Sequence, residues 1–263
     1  CTVVNPNRKK TVIIPYVSAY GYTKQLAEEI SRGIQDSGDI DVRSYDLVEA
    51  DQDKVLEELG FEVTILPVDH DGHISLKELE EAIRPDTILV STMYVNNEVG
   101  AVEPVEEISK IIKAKNPSTL YHVDAIQAYG KYVIRPKKQG IDLLSVSSHK
   151  IHGPKGVGFL YIRNGVKIKP LIYGGGQQAG MRSGTENVPG VAGFGAAAKE
   201  MYTNHAEKVQ KLIELKDYMT DRLGEIEGTV INSKKGEASA PQIVSVSFEG
   251  VRSEVLLHAL EDK

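Results

Sequence analysis

Three short apolar runs, at 87–93, 120–123 and 141–146, each break off into polar residues. A run that is apolar along its length, and not at every second residue, reads as a strand covered on both faces, the habit of parallel sheets. Parallel neighbours cannot be joined by a tight turn, so the helical spacing over 104–114 reads as a crossover. These runs leave few choices: an α/β fold, with a mainly parallel sheet and helices on both faces. In such folds chemistry gathers in the loops beyond the strands' C-terminal ends. The first run delivers Asn96 and Asn97 there, and the second delivers Asp124 and Gln127. The third delivers Ser147-Ser148-His149-Lys150, ahead of the turn Gly153-Pro154-Lys155-Gly156.

Each of these residues has a plain reading beside a chemical one. A carboxamide at a strand end can bind a carboxylate, or it can close an Asx turn, which suits Asn96 before Gly100. Asp124 could be a helix N-cap. A lysine that attacks a carbonyl must be neutral, which takes a desolvated pocket or a neighbouring cation. Lys150 is the first candidate for that part. Lys155 is the rival, but it sits in a turn, and His152 reads as structural or surface.

Asn96-Asn97-Glu98-Val99-Gly100, His122-Val123-Asp124-Ala125-Ile126-Gln127, Ser147-Ser148-His149-Lys150 and Arg182-Ser183-Gly184-Thr185 stand in one order. In that order and spacing they resemble the cysteine desulfurases, within the class V branch of pyridoxal-phosphate (PLP) enzymes, from about residue 60 onward. The resemblance implies a large domain of PLP-transferase type over 60–195 and a small α+β part over 196–263. It implies PLP as cofactor and sulfur transfer from L-cysteine through a lysine aldimine, with Lys150 as the catalytic lysine. PLP is an electron sink only while its pyridine nitrogen is protonated, and Asp124 matches the family's residue for that task. By the same resemblance Gln127 serves the phenolate oxygen, Ser147 and His149 hold the phosphate, and Asn97 binds the substrate carboxylate or the phenolic oxygen. The glycine-rich segment from Gly174 resembles a dimer-bridging loop, whose Thr185 reaches the phosphate of a partner subunit; a homodimer is implied.

Residues 1–59 follow another pattern. A strand from Thr11, the segment Ser18-Ala19-Tyr20-Gly21-Tyr22-Thr23, a helix with Leu26, Ala27, Ile30 and Ile34 on one face, a strand over 39–45 and a helix over 51–59 resemble a flavodoxin βαβα unit. That resemblance would give Ser18, Gly21 and Thr23 to an FMN phosphate. Nothing after Leu59 resembles the loops that grip the flavin ring, so a plain strand-to-helix turn is the favoured reading. Pro15 cannot donate to a ladder, which places its strand at a sheet edge. The family's N-terminal PLP loop and its catalytic-cysteine loop have no counterpart. The expected protein is therefore a chimera or fragment with impaired desulfurase activity. The alternatives are an FMN-binding electron-transfer module or a non-catalytic scaffold. The start at Cys1 fits a fragment or a processed product.

Composition excludes other classes. A formal net charge of −6 is wrong for a nucleic-acid surface, and no apolar run is long enough to span a bilayer. A single cysteine allows no internal disulfide and suits the cytoplasm. Asp69-His70-Asp71-Gly72-His73 could suggest a metal. The capped helix start that follows at Ser75 makes it a solvated turn instead, and no metal is expected. A strand is expected over 61–68, and one long helix over 197–226.

Overall fold

Parallel pairing is the first thing the backbone settles. The computed structural model describes residues 10–16, 32, 40–46, 60–170 and 172–261. The chain divides into two units, Cys1–Ile65 and Leu66–Lys263. In the first unit, β1 (Lys10–Tyr16) runs parallel to β2 (Ile40–Asp46), in register from Lys10↔Ile40 to Tyr16↔Asp46. Both strands fall within a residue of their expected bounds. Among the described residues this sheet has two strands, and β1 pairs on one side only, which tolerates the missing N–H of Pro15. Ser18, Gly21 and Thr23 lie outside the described residues, as do nearly all residues of the helix expected after them.

The second unit is built on a four-stranded sheet in the order β3 (Leu89–Met93), β4 (Leu120–Asp124), β5 (Leu143–Ser147), β6 (Gly158–Ile162). The first three strands are parallel, and β6 closes the edge antiparallel to β5. Helix α1 (Leu76–Ala82) starts at Ser75, whose hydroxyl accepts the Glu78 N–H as the sequence leads one to expect. Helix α2 (Val105–Lys115) is the crossover from β3 to β4. Glu106 and Glu107 lie in its first turn and Lys113 and Lys115 in its last, which complements the helix dipole. Its buried stripe of Val105, Ile108 and Ile112 packs in one core with Tyr121 and Val123 of β4 and Leu144 and Val146 of β5. Strand alternation turns His122, Asp124, Ser145 and Ser147 away from that core.

Asp142, 1% exposed, ties the layers together. Its carboxylate accepts from Lys113 Nζ of α2 at 2.7 Å, from the Tyr121 N–H of β4 at 2.8 Å and from Arg163 Nε beyond β6.

Two expectations fail. Residues 61–68 form no ladder beyond a lone bridge between Val68 and Ile74; Ile65 and Val68 are 72% and 59% exposed, so no buried face selects a register. The single helix expected over 197–226 is two helices, α3 (Val188–Tyr202) and α4 (His205–Gly224). Thr203 turns its hydroxyl back to the Lys199 carbonyl, and Asn204 adopts a left-handed φ of 51° that breaks the ladder. The chain then forms an antiparallel pair, β7 (Thr229–Ile231) with β8 (Val246–Phe248), and helix α5 (Ser253–Glu261). No described helix is long and apolar enough to cross a membrane.

Candidate active site

The parallel register puts Asp124 opposite Ser145, so the loops after β4 and β5 leave the same edge of the sheet. This is the crevice beyond the strand carboxyl ends, where α/β folds bind ligands. Asp124 ends β4. One of its oxygens takes the Ile126 N–H at 2.9 Å, and the other makes no hydrogen bond among the described residues. Beyond Ser147 the chain winds one 3-10 turn, Ser148–Ile151, which carries His149 and Lys150 on its exposed side and buries Ser148 and Ile151. His152 caps that turn in a left-handed conformation and sends its N–H to the Ser148 carbonyl, the structural role expected of it.

Within the site, polar side chains divide into spent and unspent. Asn96 accepts the N–H groups of Glu98 and Val99, each at 2.9 Å, and is the Asx turn. Asp69 likewise accepts from Asp71 and His73, which closes its turn on backbone. In contrast, the side chains of Asn97, Gln127, Ser147, His149, Lys150 and Thr185 make no hydrogen bond among the described residues. The Gln127 carbonyl is held by Gln242 Nε2 at 2.9 Å, and the Gly100 carbonyl by the Ala240 N–H, so the C-terminal part braces the loops that carry Gln127 and Asn97.

Lys150 is exposed, so the desolvated setting a carbonyl-attacking lysine can use does not come from the described residues. A buried cation lies against its main chain instead. Lys131 is 8% exposed and donates from Nζ to the Lys150 carbonyl at 2.7 Å. Burial pushes the Lys131 amine below the ordinary lysine range, and the charge of Lys150 adds to the effect. Residue spacing gave no sign of this contact, since 19 positions separate the two lysines.

A second unanticipated feature lies on the sheet face turned from the core. His122 bridges three strands, with Nδ1 2.8 Å from Ser91 Oγ of β3 and Nε2 2.8 Å from Ser145 Oγ of β5. Burial holds this imidazole below the ordinary histidine range, against the pull of Asp124 two residues on. A neutral ring suits the bridge, donating from one nitrogen and accepting at the other.

The glycine-rich loop is closed on itself. The buried Ser183 hydroxyl donates to the Gly175 carbonyl at 2.9 Å, and Thr185 beyond it is exposed. A cavity of about 520 Å³ opens between this loop and the β5–β6 edge, lined by Ser145, Gly158, Leu160, Gln178, Arg182 and Glu186. Asp124 and Lys150 are not among its walls. Among the described residues no cluster of histidine, cysteine and acidic side chains could hold a metal ion.

A chemical inventory follows from the unspent groups: a carboxylate with a free oxygen, a carboxamide, a hydroxyl and an imidazole beside an amine. That donor set fits PLP, which needs an acid for its ring nitrogen, donors for its phosphate and an amine for its aldehyde.

Comparison with known proteins agrees. Residues 47–263 match the model of the family described as aminotransferase class V. The chain is 44% identical over 205 residues to the cysteine desulfurase IscS of Dictyoglomus turgidum, covering 77% of this chain and 51% of that protein. It is 49% identical over 205 residues to the mitochondrial cysteine desulfurase of Saccharomyces cerevisiae, covering 77% of this chain and 41% of the yeast protein. Among solved structures, a NifS-like protein superposes with a TM-score of 0.77 at 37% identity, over 98% of this chain and 62% of that one. The chain thus spans about half the length of the curated relatives it matches.

Proposed function

The chain belongs to the class V aminotransferase family, and from that premise we propose that it is a PLP-dependent protein of cysteine desulfurase type, acting on L-cysteine. One observation supports the reading: Asp124, Ser147, His149 and Lys150 stand at or just beyond the carboxyl ends of the adjacent strands β4 and β5, and apart from one Asp124 oxygen their side chains make no hydrogen bond among the described residues. Identity of 44% and 49% to two proteins named as cysteine desulfurases supports the substrate class.

When bound, PLP supplies an electron sink for bonds next to the substrate's amino group. The rest is done by this chain. Asp124, with an oxygen free of hydrogen bonds among the described residues, would face the ring nitrogen and keep its proton there. Gln127 would donate from its carboxamide to the phenolate oxygen. Ser147 and His149 would donate to the phosphate. Lys150, whose side chain is exposed, would hold the aldehyde end of the cofactor. Asn97 orients the substrate carboxylate or the phenolic oxygen. Thr185 serves a second copy, which makes the loop around it the bridge of a homodimer; the exposure of Tyr173, Val188 and Val191 beside it supports that arrangement.

The test is chemical. After incubation with PLP, borohydride reduction fixes the cofactor on the peptide that contains Lys150, and Lys150→Ala removes the adduct. An adduct mapped to Lys155 in the wild type would overturn the assignment. Release of alanine and sulfide from L-cysteine, lost in Lys150→Ala, tests the activity itself.

A further inference from the structure

The buried amine of Lys131 has no part in the chemistry described so far. It sits in the turn after β4, and among the described residues its hydrogen bond goes to the main chain of Lys150. Burying an ammonium is costly unless it is paired, and no carboxylate among the described residues pairs with this one. The turn cannot drift. Gly130 has a left-handed φ of 82°, and its N–H is held by the Tyr202 hydroxyl at 3.1 Å. That hydroxyl in turn donates to the Tyr132 carbonyl at 3.2 Å. A Cβ on Gly130 would stand 2.8 Å from Ile151 of the 3-10 turn, so the two turns are in close approach.

We propose that Lys131 is a positioning residue for Lys150: its ammonium fixes the backbone of the 3-10 turn and sets a second positive charge beside the Lys150 amine, making that amine a faster nucleophile than a solvated lysine. Lys131 lies close enough to feel the charge of Lys150. A nearby cation is a recognised way of activating a lysine toward carbonyls. The inference rests on Lys150 being the reacting amine, but its test needs no cofactor.

The full chain, before any PLP is added, is treated with trace acetic anhydride at pH 8, and labelling is read lysine by lysine by mass spectrometry. Lys150 is expected to acetylate faster than Lys155, the exposed lysine of the next turn. Lys131→Met should slow Lys150 by about three- to tenfold, the size of an ordinary charge-coupling effect. Lys131→Arg, which keeps the charge, should restore most of the rate. Equal labelling of Lys150 and Lys155 in the wild type overturns the proposal even if Lys131→Met fails to fold. So does a Lys131→Arg variant as slow as Lys131→Met. Fast labelling with no PLP adduct would sink the cofactor reading and leave this inference standing.

Discussion

Gly153 and Ser148 form a contact whose energy can be worked out before it is measured. A Cβ placed on Gly153 would lie 2.1 Å from Ser148 Oγ, where an ordinary contact begins near 3.4 Å. Escape is blocked on two other sides, by the Ser148 carbonyl at 3.2 Å and the Ala197 Cβ of α3 at 3.3 Å. Gly153→Ala must therefore move the 3-10 turn by more than an ångström or drive the serine from its rotamer, an overpacking cost of about 1–3 kcal/mol. The Ser148 hydroxyl is fully buried and has no hydrogen-bond partner among the described residues. Removing it by Ser148→Ala should then be neutral or stabilising, because an unpaired buried hydroxyl itself costs about 1–3 kcal/mol. The double variant relieves most of the clash. The two substitutions should couple by about 1–2 kcal/mol in a double-mutant cycle, read from urea unfolding by circular dichroism. Borohydride trapping of PLP on Lys150 should fall in Gly153→Ala and recover in the double variant. If the two changes add within about 0.5 kcal/mol, the contact is not as drawn and the reasoning is refuted.

Asp142→Ala strands Lys113 and Arg163 and frees the Tyr121 N–H, and should cost about 3–5 kcal/mol in chemical unfolding, less the share that water recovers at the partly exposed cations. Burial pushes this carboxyl up, but bonds from Lys113, the Tyr121 N–H and Arg163 hold it below the ordinary value. Its stabilisation is present above about pH 4 and is lost as pH falls through the lower folded-state value, so the wild type should show a loss of stability in acid that Asp142→Asn blunts. His122 gives a slope in a higher window. Its folded-state value lies below the unfolded one, so the unfolded chain binds the extra proton as pH drops below about 6.5. Melting temperature should fall with pH from there, and His122→Gln should flatten the curve; an unchanged slope would remove His122 from the account.

Much of the architecture was written in contiguous residues. Apolar runs ending in Asn97, Asp124 and Lys150 specified parallel strands and the edge at which their loops emerge, because strand alternation, turn chemistry and capping act over a few neighbouring positions. Ser75 capping α1 and Asn96 closing its own turn are of that kind. The boundary between α3 and α4 was not legible: the apolar spacing over 197–226 continues through Asn204, and the break appears in its left-handed backbone. Residues 61–68 show the reverse failure, since a strand-like run becomes a strand only if a partner edge and a buried face are waiting for it. The candidate site divides in the same way. Its unspent groups could be named from motifs, but the ammonium of Lys131 against Lys150, the Ser91–His122–Ser145 bridge and the crowding of Gly153 on Ser148 belong to residues brought together from different elements. What a residue is made of travels with the sequence; which charge stands beside it, and whether water does, is decided by the packing.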